Sequence, residues 1–321
     1  MTFSLGKFRK SLLGVSHKEA TSFSKGDTWA WQRLEKSVLS AIEGYHATLE
    51  SSRFEVLVPR LNAIEPEFRG FAYEGAAMGL TGLDCVAPWK NRLKAFIDGP
   101  GSAHIYMVHI GAGEALARLR RKPEPFITRL DPVLRWLALD GYGFHEGFFS
   151  RRRYVEEQAI PKHLSPYARR IFDQGLGRSI WFASGANVDQ VAATIATFAN
   201  SRRADLWSGV GVVCTYAGGA SRADMETLLT VAAPYRPQLA LGAAVVSKGR
   251  QRAGNPAPHS DLACEMLCGT SSDTAAHLVD VAFQDLPTNG SKPAFEILQQ
   301  RLAVQFAIPA ESVSQRKEIM K

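Results

Sequence analysis

The chain carries no recognisable catalytic signature. It has no His-Glu-x-x-His run, no Gly-x-Ser-x-Gly elbow and no phosphate loop ending in Gly-Lys-Ser or Gly-Lys-Thr. The common zinc-protease, serine-hydrolase and nucleotide-hydrolase readings are therefore excluded. No aspartate-rich run of the kind that holds magnesium on a prenyl pyrophosphate is present. Cysteine is scarce, at 4 of 321 residues. Cys264 and Cys268 share a helix face, but no Cys-x-x-Cys or His pair completes a zinc site beside them. No cofactor is expected on these grounds, although nothing in the composition forbids a divalent metal. The remaining reading, buried thiols, suits a reducing cytoplasmic compartment. No run approaches the roughly 18 apolar residues of a membrane span. The nearest, residues 103–119, contains His104, His109, Glu114 and Arg118. The first 13 residues lack the continuous apolar core of a signal peptide. They suit a helix docked on the body, and also a basic amphipathic helix in peripheral contact with a membrane.

What is present describes a folded protein. Hydrophobic residues make up 45% and charged residues 21%, well away from the composition of a disordered chain. The net charge of +7 mildly favours an anionic partner, such as an acidic carrier protein or an anionic head group. Nucleic acid is not expected, because the basic tracts are short and not interleaved with aromatics.

Six glycine marks organise the chain. They are Gly75-Ala76-Ala77, Gly111-Ala112-Gly113, Gly141-Tyr142-Gly143, Gly175-Leu176-Gly177, Gly209-Val210-Gly211 and Gly242-Ala243-Ala244. Their spacings of 36, 30, 34, 34 and 33 residues point to a repeated supersecondary unit. The segments around them carry helical signals. In Asp131-Pro132 and Ser165-Pro166 a capping side chain precedes a proline at the first helical position, predicting helices over 132–149 and 166–183. Asp205 opens the helix carrying Gly209. A glycine inside a helix costs about 1 kcal/mol against alanine, so six need a reason. Close approach of another backbone is the usual one. Gly75 and Gly79, and Gly143 and Gly147, each share one helix face.

The expected fold is all-α, with repeated helical pairs forming a closed α/α ring or a compact solenoid. An α/β fold is the alternative, because residues 210–216 and 239–246 have the composition of buried strands. The organisation is read as an N-terminal arm (1–27), a helical-repeat core (28–250), and a loop with C-terminal helices packed on the core (251–321). Residues 249–260 read as loop and the tail, 312–321, as a frayed polar end.

Polar and aromatic residues cluster at the marks. Glu74, His109, Glu114, Asp140, His145, Glu146, Asp173, Gln174, Arg178 and Asp205 all adjoin them. Glu146, His145, Asp173, Glu74, His109 and Asp205 are the candidate catalytic groups, since buried acids and imidazoles suit proton transfer. Tyr142, Phe144, Arg178, Trp181, Trp207 and Tyr216 are the candidates for lining a hydrophobic substrate cavity. No metal ligand set is assigned. The polar groups would equally serve as a network tying the repeats together. Basic tracts at 118–122, 151–153 and 248–252 follow their marks at similar distances and so share one rim, with Arg202-Arg203 on the other.

The blocks 71–78, 140–147, 175–182 and 203–211 resemble a bacterial family of unknown function associated with enediyne polyketide gene clusters. The resemblance spans most of residues 1–250. It implies a setting in polyene or polyketide metabolism and assigns no residue roles. Two functions follow as expectations. The first is an enzyme that encloses a polyene, polyketide or isoprenoid-like intermediate and promotes cyclisation or rearrangement by acid/base chemistry. The second is a non-catalytic adaptor whose basic rim holds an acidic carrier or a synthase.

Overall fold

A computed structural model describes residues 5–287 and 290–307. Seven helices carry its closest packing: α1 (Trp29–Glu50), α2 (Pro66–Val86), α3 (Ile105–Arg118), α4 (Leu137–Phe149), α5 (Pro166–Ala183), α6 (Asn200–Tyr216) and α7 (Arg236–Ala253). Each lies against the next. The glycine pairs explain how. Residues two apart in an α-helix point about 200° apart, so the glycines of a Gly-x-Gly face opposite flanks. The first faces the preceding helix and the second the following one. A Cβ on Gly141 would overlap the Ile110 carbonyl oxygen of α3, and one on Gly143 the Phe172 carbonyl oxygen of α5. The neighbours reciprocate: Gly113 lies on the Ala138 carbonyl and Gly175 on the Asp140 carbonyl. The same reciprocal seating joins α1 to α2, α5 to α6 and α6 to α7. At these points backbone meets backbone, a geometry suited to Cα–H···O contacts.

The inner helices run parallel wherever two contacts fix the direction. Arg170 meets Asp205 and Gln174 meets Ser208 between α5 and α6. The chain returns along the outside, mostly through short helices: Phe54–Asn62, Arg92–Asp98, Pro123–Ile127, Val188–Ala196 and Arg222–Val231. Between α4 and α5 the return instead contains a π-helical turn, Arg152–Glu156. The row curls on itself. Gly249 of α7 lies over the Tyr106 ring of α3, and Arg33 of α1 donates to the Ala217 carbonyl just past α6 at 2.7 Å. α1 and α7 do not pack as neighbours do, so the row spirals rather than closing as a ring. Helix Leu5–Leu13 covers α1, and Pro258–Cys268, Ser272–Phe283 and Ala294–Ala307 cover α7.

The all-α expectation holds, and there is no strand among the described residues. The α/β alternative falls, because residues 210–216 and 239–246 are helical. Val210, Val213, Val245 and Val246 are buried between packed helices, which gives helix and central strand the same composition. The loop expected over 249–260 shrinks to four residues, 254–257. Arg250 holds the extra turn by donating to the Tyr216 carbonyl at 2.6 Å and the Asn255 carbonyl at 2.9 Å, and Gly254, at φ 61°, ends it. Two starts also differ. Asp131 caps Val133 and Leu134, but the turn it opens is a 3-10 helix, and α4 begins at Leu137. α6 opens at Asn200, five residues before Asp205. The tail, 312–321, lies outside the described residues.

Candidate functional site

The inner helices turn equivalent positions toward the axis. Counted from the first glycine of each mark, these are the residues one before and three and seven after. They fall four apart and so on one helix face. They place Glu74 and Met78 of α2, Glu114 and Arg118 of α3, Asp140, Phe144 and Phe148 of α4, and Gln174, Arg178 and Phe182 of α5 around one interior.

Arg178 is the centre. It is 4% exposed. Its Nη1 donates to Asp140 through a very short bond, and its Nη2 lies 3.6 Å from Glu74. The Phe144 ring covers the guanidinium at 4.7 Å. Gln174 donates to Asp140 at 2.7 Å, and its carbonyl oxygen accepts from Ser208 at 3.2 Å and from Gln299 at 3.0 Å. Glu74 and Glu114 hydrogen-bond to each other. Three buried carboxyl groups thus face one guanidinium.

The protonation states follow. Two carboxyl groups can share a hydrogen bond only if one carries a proton. Burial pushes Glu114 well above the usual carboxylate range, and the charge of Glu74 pushes the same way. Burial also raises Glu74, against the pull of Arg178. Burial opposes the charge on Arg178, but Asp140, Glu74 and Glu114 outweigh it and raise its pKa. Of the pair, Glu114 is the one pushed further toward holding the shared proton, because both burial and the charge of Glu74 raise it.

The carboxyl pair forms the floor of a pocket. Phe71, Phe144, Phe148, Phe149 and Phe182 line its walls, with Met78 and Val38. Its volume is about 670 Å³ with the open mouth included. It is narrow and almost wholly apolar above Glu74, Glu114 and Arg178. His145 lines it as well, and neither of its ring nitrogens has a partner. Burial, then Arg118, lowers its pKa to about 3, so the imidazole is neutral. A second, similar pocket lies on the other side of Arg178, with Asp140, Gln174, Tyr216, Met107 and Val246 on its wall.

The structure brings together Glu74, His145, Phe144 and Arg178 at the first pocket and Tyr216 at the second. It places the other candidates elsewhere. Asp173 receives two bonds from Arg202, one of 2.8 Å, and Asp205 two of 3.2 Å from Arg170. Burial raises both carboxyls against these arginines, Asp205 to about 6. Both serve the α5–α6 junction. Glu146 is half-buried, lines neither pocket and lies near Arg153, with burial raising its pKa. His109 is fully buried, and its Nδ1 bonds the Ile105 carbonyl at 2.7 Å. Trp181 donates to the Gly218 carbonyl at 3.0 Å, Trp207 stacks on Tyr235, and Tyr142 packs on Phe172.

Glu114 and Asp140 complete the cluster and were not among the candidates, although both adjoin a mark. The signal that finds them is the register itself: one before and three after the first glycine.

No curated protein and no solved structure matches the chain. A family model described as a protein of unknown function, DUF1702, matches residues 4–306, nearly the whole length, and the chain belongs to that family.

Proposed function

We propose that the protein is an enzyme of specialised-metabolite biosynthesis that cyclises or rearranges a hydrophobic polyene, polyketide or isoprenoid-like intermediate by proton transfer. The observation that carries this reading is a pair of buried carboxyl groups, Glu74 and Glu114, on the floor of an aromatic pocket, where burial pushes Glu114 toward its protonated form. The walls are almost wholly apolar, so an alkene is the group a hydrophobic ligand would present to the acid. The Glu114 proton adds to one alkene carbon, the π electrons form the new C–H bond, and the positive charge moves to the neighbouring carbon. The faces of Phe71, Phe144, Phe148 and Phe182 stabilise that charge. Arg178 stabilises the carboxylate left behind. Attack by a second double bond closes the ring, and loss of a proton to a base restores an alkene. His145, neutral and unpartnered on the wall, is the base the pocket supplies, and return of that proton from the imidazolium to the Glu114 carboxylate restores the starting enzyme. The net change is isomerisation, which needs no oxidant.

A polyene enters when the segment over the pocket moves. Val15 lines it, and Phe23 packs tilted against Phe148 at 5.1 Å and edge-on against Phe182 at 5.8 Å. A setting in polyene or polyketide metabolism, enediyne clusters included, suits such a pocket. The adaptor reading draws less support, because its basic tracts are partly engaged within the chain: Arg250 is buried, Arg202 holds Asp173 and Arg152 pairs with Glu157 at 3.0 Å.

The test is turnover of linear polyenes and isoprenoid alkenes in deuterium oxide. The product should gain one deuterium on carbon, and Glu114→Gln should lower the rate by at least about a hundredfold with the fold intact. Unchanged turnover in Glu114→Gln and in Glu74→Gln would sink the proposal.

A further inference from the structure

The outer edge of the aromatic pocket has a composition of its own. Arg118 and Phe149, the last residues of α3 and α4, line the pocket together with Val15. Phe149 is 44% exposed and the neighbouring Leu119 42%. Helix Leu5–Leu13 lies across the C-terminal end of α1, with Gly6 against the Glu50 carbonyl, and its chain leads through Leu13 to Val15 at the mouth. On it Phe8, Leu12 and Leu13 are 52, 69 and 43% exposed. Phe8 and Leu12, four apart, form one stripe, and Lys7, Arg9 and Lys10 flank it.

The same edge is basic. Arg120, Arg121 and Lys122 follow α3, and Arg152 and Arg153 follow α4. Arg120, Arg121, Lys122 and Arg153 have no ion-pair partner within 4.0 Å among the described residues. Glu156 and Glu157 offset only Arg151 and Arg152, at 3.9 and 3.0 Å. Arg118 reaches Glu19 at 3.9 Å, which ties the N-terminal segment to this end of α3. Large exposed apolar groups and unpaired cations therefore surround the mouth of an apolar pocket.

We infer that this face docks on an anionic membrane surface, with the pocket mouth turned toward the lipid. Phe8, Leu12, Leu13, Leu119 and Phe149 enter at the level of the head groups, and the cations sit on lipid phosphates. The exposed apolar groups are divided among helix Leu5–Leu13 and the ends of α3 and α4, which fits a fluid surface better than an acidic protein. A hydrophobic ligand then reaches the pocket without crossing water. The inference rests on the pocket and its rim and does not need the proposed reaction.

Sedimentation of the full chain with vesicles tests it, using phosphatidylcholine alone or mixed with phosphatidylglycerol. Association should appear only with the anionic vesicles and weaken with salt. At about fivefold per basic group, neutralising Arg121, Lys122 and Arg153 to Gln should lower it roughly a hundredfold. Phe8→Ser with Leu12→Ser should also lower it, and Lys36→Glu, at the opposite end of α1, should leave it unchanged. Circular dichroism confirms that each variant is folded. The inference is overturned if the folded protein ignores both vesicles, or if the triple variant binds as the wild type does. Charge-dependent capture of an acidic protein without vesicle binding would assign the face to a protein partner and also overturn it.

Discussion

At Glu114 the environment decides the chemistry. A carboxyl group in water ionises near pH 4.3, and burial pushes this one well above that range because its surroundings solvate charge poorly. The folded state thus keeps a proton that the unfolded chain gives up as pH rises through the ordinary carboxylate range. With more protons bound when folded, stability falls as pH rises above about 4.5. Glu114→Gln keeps the shape and cannot ionise. Its thermal midpoint should gain on that of the wild type as pH rises above the ordinary carboxylate range, and midpoints that run parallel would show that Glu114 is already charged. His145 has the opposite sign. Its pKa is lowered from 6.5 to about 3, so its contribution is complete above about 6.5 and is lost as pH falls toward 3. Replacing it with Phe should flatten the acid side of the stability profile between pH 6 and 4. Glu74, Arg178 and Phe144 were legible because a glycine mark flags its neighbours. Asp173 and Asp205 adjoin marks equally well and turn away to Arg202 and Arg170. Adjacent positions on a helix differ in direction by about 100°, so nearness in sequence carries no facing.

At the scale of the element, the glycines matter through what touches them. Gly175 lies against the Asp140 carbonyl and the Phe144 amide, so Gly175→Ala forces α4 and α5 apart. It should cost at least about 2 kcal/mol in urea unfolding and loosen the bond between Gln174 and Asp140. Gly82, in α2, has nothing within 4 Å of an added Cβ. Gly82→Ala should therefore stabilise the protein by about 0.5–1 kcal/mol through helix propensity alone. Equal effects at the two positions would remove close packing as the reason for the marks. The period and the helix 166–183 could be read from spacing and caps. The reciprocal use of the two glycines could not, because it depends on helices more than 25 residues away, such as Phe172 against Gly143.

For the whole molecule the curl depends on a cap. The last carbonyls of α6 are taken from three directions: Ser260 donates to Thr215 at 2.7 Å, Arg250 to Tyr216 at 2.6 Å and Arg33 to Ala217 at 2.7 Å. Two of the three donors are cations at a helix C-terminus, where the backbone dipole favours them. They join α1, α7 and the helix Pro258–Cys268 at one point. Arg250→Met keeps the apolar stem and removes its bonds to the Tyr216, Asn255 and Glu67 carbonyls. A fall of about 2 kcal/mol in unfolding free energy is expected, with an unchanged denaturant slope. An unaltered midpoint would show that the curl holds without the cap. Repetition, helical class and the small contact points follow from the order of residues, because spacing, caps and the absence of a Cβ act within one turn or one unit. The spiral, the gathering of Glu74, Glu114, Asp140 and Arg178, and the proton they share belong to the assembled fold. Those depend on which way each helix is rotated against its neighbours, and that rotation is set by backbones meeting across the row.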